Sequence, residues 1–192
     1  MYFVLFLVVV MAALVWLYNA LVSSRNVYKN AYAQIDVQLK RRHDLIPNLV
    51  STAKAYLAHE RGTLEAVIAA RNAAQGASQI AAKAPGSAGA MQAVAQSESA
   101  LSRSLGHLAV AVEAYPELTG SANMQQLTEE LASTENRIGF ARQAYNDAVT
   151  DYNNATEKFP SNMLAGLFGF KPAELLQSIS NDAERAAPSV TF

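Results

Sequence analysis

No charged residue occurs between Tyr2 and Val22, and Tyr2–Tyr18 is almost wholly apolar. Wound as a helix, the 21 residues from Tyr2 to Val22 extend about 31 Å, enough to cross the hydrocarbon of a bilayer. A cleaved secretory signal normally opens on basic residues, and nothing basic precedes Arg25, so the segment reads as a retained anchor. Its side chains are Tyr2, Phe3, Phe6, Leu7, Val10, Leu14, Trp16, Leu17 and Tyr18. Trp16 and Tyr18 fall where amphipathic rings favour the membrane interface. Arg25 and Lys29 are then expected at lipid headgroups. With Lys40, Arg41 and Arg42 they face one acid, Asp36, and the positive-inside rule puts the C-terminal bulk in the cytoplasm with Met1 outside.

Beyond the anchor the helical pattern continues. Leu21, Tyr28, Tyr32, Ile35, Leu39, Arg42, Ile46, Leu49, Ala53 and Tyr56 follow the three-four spacing of an apolar seam, interrupted by Arg42. No glycine occurs before Gly62, so the expectation is one long helix, kinked at Pro47 and reaching about Arg71. Gly76–Ala90, rich in alanine, glycine and serine, reads as a loop. A second seam runs through Met91, Val94, Glu98, Leu101, Leu105, Leu108, Val112 and Tyr115, and Pro116 ends it. A third, from Met124 through Ile138, Tyr145 and Tyr152 to Phe159, alternates steps of three and four without a break. Asn162–Phe170 and Pro172–Asp182 read as two short helices. β-branched residues nowhere alternate over a strand's length, so the class is all-α. The expected organisation is an anchor over 1–23, a helical bundle over 24–183 with a membrane-proximal stalk at 24–56, and a loose tail over 184–192.

Composition removes several functions. There is no cysteine, hence no disulfide, thiolate metal site or cysteine nucleophile. A net charge of -1 provides no global attraction to nucleic acid. His43-Asp44 and His59-Glu60 point to nearly opposite sides of a continuous helix, and His107 lies on another, so they read as surface or capping histidines rather than a metal site. No nucleophile–base pair or phosphate loop is visible, which leaves the chain without a catalytic residue or cofactor to assign.

Helix lengths constrain the assembly. Folding the second helix back from a turn near residue 83 places Glu98 opposite Ile68–Arg71, which predicts an Arg71–Glu98 ion pair in the seam, because a lone buried charge is costly. The third helix then runs away from the membrane, and nothing later reaches back to cover the stripe from Leu21 to Ile46. An uncovered apolar row marks an interaction surface. Tyr28, Tyr32, Ile35 and Leu39 are therefore expected to pack against other copies of the chain, with Lys40, Arg41 and Arg42 pairing between subunits. Phe159, Met163, Leu167, Phe168 and Phe170 form an apolar cluster expected at the far end of the bundle, as a plug or as a contact to another subunit or a second membrane. Tyr145-Asn146 and Tyr152-Asn153 repeat at seven residues and suggest a hydrogen-bonded layer in the core.

Tyr18-Asn19-x-Leu21-Val22-x-x-Arg25-Asn26, Gln34–Val50, Glu113-x-Tyr115-Pro116, Thr134-Glu135-Asn136-Arg137-Ile138 and Arg142-Gln143-x-Tyr145-Asn146-Asp147 together resemble the LemA family of bacterial membrane-anchored helical proteins. Tyr32 stands where tryptophan is usual, and Thr119–Asn123 departs from the usual loop. The resemblance implies a single membrane pass and a helical bundle, with no settled activity, and the expected location is the bacterial inner membrane. Two functions fit: a self-associating scaffold or membrane organiser, and a monomeric adaptor presenting its bundle to another envelope protein such as a membrane protease.

Overall fold

The computed structural model describes residues 1–57 and 59–177, and those residues hold six helices and no strand. The first, α1 (Tyr2–Lys54), runs unbroken through Pro47. Pro47 faces outward while Ile46 and Leu49 face the core. The chain reverses after it, at Ala55–Glu60, without help from glycine or proline. The amides of Tyr56 and Leu57 both donate to the Ala53 carbonyl, at 3.0 and 2.9 Å. The Leu57 side chain is buried, so apolar burial fills the corner and stabilises the turn.

This reversal decides the direction of every later helix. α2 (Arg61–Lys83) returns along α1 toward its apolar end. It runs straight through Gly76, so the expected loop at Gly76–Ala90 shrinks to Ala84–Ser87. Gly86 adopts φ +84°, and a Cβ there would lie 2.9 Å from the Ala173 Cβ; both facts select glycine. α3 (Ala88–Glu113) leads away again, and α4 (Pro116–Thr119) makes a single turn. α5 (Ala122–Glu157) then returns along α1, and α6 (Ser161–Leu167) closes the apolar end.

The polarity is fixed at both ends of the α1–α5 pair. Asn123 Nδ2 donates to Thr52 Oγ1 at 3.2 Å, while the rings of Tyr28 and Tyr152 lie 5.0 Å apart at the other end. Helix α5 therefore runs toward the apolar end, opposite to the expected direction. Tyr28, Tyr32, Ile35 and Leu39 are buried by their own chain, packed with Ile138, Tyr145, Val149 and Tyr152 of α5 and with Ala81 and Met91. The expectation that other copies shield this stripe is corrected: residues 24–54 belong to the central helix of the bundle, not to a bare stalk.

The core divides into two apolar clusters. One, at the apolar end, joins Leu21–Leu39 of α1 to the C-terminal half of α5, α6 and residues 170–176. The other joins Ile46–Leu57 to Leu64–Ala74 of α2, Leu101–Val112 of α3 and the start of α5. Arg42, His43, Glu98 and Thr134 are buried between them. Residues 171–177 are not helical, which corrects that part of the expected helix at Pro172–Asp182; the rest of it, and the expected tail at 184–192, lie outside the described residues.

Candidate functional site

Three places in the bundle carry chemistry. The first is the charged layer between the two apolar clusters. Glu98 lies fully buried on α3, and α1 supplies two neighbouring partners. His43 Nε2 lies 2.6 Å from Glu98 Oε1, and Arg42 Nη1 lies 3.3 Å from Glu98 Oε2. Arg42 also meets Glu135 Oε2 of α5 at 2.8 Å and donates to Ser102 Oγ at 2.9 Å. One arginine thus ties three helices together through charge-assisted bonds.

The expected Arg71–Glu98 pair is not formed. Because α2 starts after a sharp turn, Arg71 reaches α1 instead, donating from Nε to the His43 carbonyl at 3.0 Å and approaching Asp44 at 3.9 Å. The intersubunit role expected of the basic block is corrected for Arg42, which is consumed inside the chain. Among the described residues Arg41 reaches only Glu130, at 4.0 Å, and Lys40 is exposed. His43 is buried rather than superficial; His59 and His107 are exposed. The Ser102 hydroxyl accepts from Arg42, and Glu98 and His43 are closed to solvent while Glu135 stands half-exposed at the edge of the layer. A buried polar layer of this kind fixes helix register.

The second place is an apolar groove of about 570 Å³ that begins at Arg42 and Glu135 and runs toward the far end. Leu105, Leu108 and Val112 of α3 form one wall, Met124 and Leu131 of α5 the other, and Leu49 of α1 the floor. It exists because α3 packs on α2 and α5 packs on α1, which leaves the α3–α5 edge open. Glu129 and Glu135 stand on its α5 rim.

The third place is the apolar end. The expected cluster of Phe159, Met163, Leu167, Phe168 and Phe170 lies here rather than at the far end, a further consequence of the reversed polarity. Phe170 is buried and its ring lies 5.7 Å from that of Tyr18; Phe168 meets the same tyrosine edge-on at 5.0 Å. Phe159, Met163, Leu167 and Phe168 remain exposed. Arg25 stacks over Phe170 at 4.9 Å, so it is partly occupied by its own chain, whereas Lys29 is exposed. From Tyr2 to Trp16 the helix stands outside the bundle with all its large apolar side chains exposed.

The tyrosine–asparagine repeat has a role that spacing alone could not reveal. Tyr145 and Tyr152 donate to the carbonyls of Glu174 and Lys171, at 2.7 and 2.9 Å. Asn146 and Asn153 each grip a backbone residue twice. Asn153 accepts from the Ala173 amide and donates to its carbonyl, both at 2.9 Å; Asn146 treats Leu176 the same way, at 2.9 and 3.1 Å. Residues 171–176 are thereby held as an extended strap antiparallel to α5. Burial raises the hydroxyl pKa of Tyr28, Tyr32, Tyr145 and Tyr152, because ionisation would strand a charge in the core; the Arg25 charge opposes this at Tyr28 and Tyr152.

Known proteins resemble the chain over most of its length. The model of the LemA family matches residues 31–192. Two magnetosome proteins of Paramagnetospirillum magneticum, MamQ 1 and MamQ 2, are each 29% identical over 189 residues, covering 91% of this chain and 70% of theirs. Magnetosome protein MamQ of Magnetospirillum gryphiswaldense is 29% identical over 189 residues, covering 89% of this chain and 68% of its own.

Proposed function

The chain belongs to the LemA family, and from that premise we propose that it is a non-enzymatic adaptor: a single membrane-spanning helix holds the bundle at the bilayer, and the α3–α5 groove receives an apolar segment of another membrane protein. The charge asymmetry after the span supports an inner-membrane protein with its bundle in the cytoplasm. The observation that carries the reading is the groove itself. A bundle whose fourth edge is open leaves Leu105 and Leu131 half-buried above the buried Leu108, beside acidic Glu129 and Glu135, which suits the apolar face of a helix with basic flanks.

Self-association as a scaffold or membrane organiser is the second reading. It no longer has the Tyr28–Leu39 stripe behind it, and it rests on a second copy filling the same groove. A photo-crosslinker at Ala132, on the groove wall, separates the two in living membranes. Adducts with a different membrane protein, lost when Ala109→Trp fills the groove and absent from the same crosslinker at exposed Phe140, are expected. Adducts only with another copy of the chain would move the function to the scaffold. Equal adducts from Ala132 and Phe140 would remove the groove from the account.

A further inference from the structure

After the polar Ser161 and Asn162 of its first turn, helix α6 is apolar on both sides. Leu164 and Ala165 enter the core, while Met163 and Leu167, one turn apart, point outward at 69 and 77% exposure. Phe159 and Phe168 extend the outward face, at 80 and 56%. A helix that is hydrophobic all round belongs in a protein core or in lipid. Its surroundings decide between these. Phe168 packs on Tyr18, which lies seven residues before Arg25, the first charge of the chain. Seven residues of helix are about 10 Å, so Phe168, capping the C-terminus of α6, lies that far onto the apolar side of the first charge, alongside the uncharged helix. Phe159–Phe170 contains no charge, and lysines stand at both ends, Lys158 and Lys171, with Glu157 beyond the first.

We propose that α6 is a membrane foot: Phe159, Met163, Leu167 and Phe168 enter the same bilayer leaflet that α1 crosses, with Lys158 and Lys171 at its headgroups. The occupant of this apolar face is lipid, because the face is continuous through Tyr18 with the exposed apolar surface of α1. Two attachments on one side of the bundle fix its tilt and rotation against the membrane, which a lone helix cannot do. The foot therefore sets which way the α3–α5 groove faces. The inference rests on α1 spanning the bilayer, as in the proposed function, and not on the identity of the groove's partner.

The chain has no cysteine, so single cysteines can be placed and spin-labelled in the full-length protein reconstituted into phosphatidylcholine–phosphatidylglycerol vesicles. Labels at Met163, Leu167, Val10 and exposed Phe140 are compared for collision with oxygen, which partitions into lipid, and with a water-soluble nickel chelate. The expected oxygen-to-nickel ratio at positions 163 and 167 is several-fold above that at 140 and approaches that at 10. If positions 163 and 167 match position 140 while position 10 stays in lipid, the foot is wrong and the span stands. If positions 163 and 167 are shielded from both reagents, protein covers them and the foot is equally wrong. A nickel-accessible label at position 10 would overturn span and foot together.

Discussion

His43 Nε2 lies 2.6 Å from Glu98 Oε1 in a part of the bundle closed to solvent, and Arg42 occupies the other carboxylate oxygen at 3.3 Å. Breaking a buried ion pair from one side is far costlier than replacing the set by apolar groups. Arg42→Met leaves Glu98 with His43 alone and is expected to cost about 3 kcal/mol or more. Glu98→Leu is expected to cost less, since Arg42 keeps the half-exposed Glu135 at 2.8 Å. The triple variant Arg42→Met/His43→Leu/Glu98→Leu should recover most of the loss. Urea unfolding followed by circular dichroism in detergent provides the comparison; a triple variant weaker than Arg42→Met would refute the ordering.

The strap makes a second prediction. Asn153→Ala removes two bonds to Ala173 and leaves its buried amide and carbonyl unpaired. The expected loss is about 2 kcal/mol, with faster amide hydrogen exchange confined to residues 171–176. Tyr145→Phe should cost about 1 kcal/mol, because its hydroxyl bonds the Glu174 carbonyl. Tyr32→Phe should cost nothing or stabilise slightly, since the buried Tyr32 hydroxyl has no hydrogen-bond partner among the described residues. Equal losses for the two phenylalanine variants would contradict these assignments.

Two glycines separate conformational need from tolerance. At Gly86 the backbone is left-handed, and a methyl would meet Ala173 at 2.9 Å and Tyr28 at 3.1 Å. Gly86→Ala is expected to cost about 2 kcal/mol. At Gly76, inside α2, nothing lies within 4 Å, and Gly76→Ala should stabilise by roughly 0.5–1 kcal/mol. Melting temperatures of the two variants should move in opposite directions.

Alkaline titration tests the tyrosine core. Burial raises the pKa of Tyr28, Tyr32, Tyr145 and Tyr152 above the unfolded value of 10.0. Protons bound more tightly in the folded state stabilise it fully below the unfolded pKa, and that stabilisation drains away as pH climbs toward the folded values. Stability should therefore hold up to about pH 10 and fall above it. Tyrosinate absorbance from these four of the eight tyrosines should appear together with loss of helical signal. Complete ionisation near pH 10 with intact helix would show them to be exposed.

The extent of what was legible follows from where the physics is local. Periodicity located α3 and α5 to within a few residues, since Met91–Val112 and Met124–Tyr152 bury the faces their spacing marks. Glu98 was recognisable as a buried charge needing a partner. Its partner was misassigned because the turn at Ala55–Glu60 carries no glycine or proline and is stabilised by burial of Leu57, a tertiary effect with no local signature. One missed reversal inverts the direction of each later helix. It turned a covered stripe into a bare one, moved the Phe159–Phe170 cluster to the wrong end and gave Glu98 to Arg71 rather than to Arg42 and His43. The strap was invisible for a related reason: Asn146 and Asn153 bind the backbone of 173 and 176, which carries no residue-specific mark.

The polarity of α5 against α1 underlies the groove, the foot and the covered stripe alike, and two spin–spin distances test it directly. Lys29 and Asp151 adjoin the Tyr28–Tyr152 contact, whereas Glu129 lies 22 residues earlier on α5, about 33 Å away by helical rise. In lipid nanodiscs, with labelled protein diluted by unlabelled protein, the 29–151 distance should be much the shorter of the two and should survive dilution. A shorter 29–129 distance, or a 29–151 signal that vanishes on dilution, would contradict the fold described above.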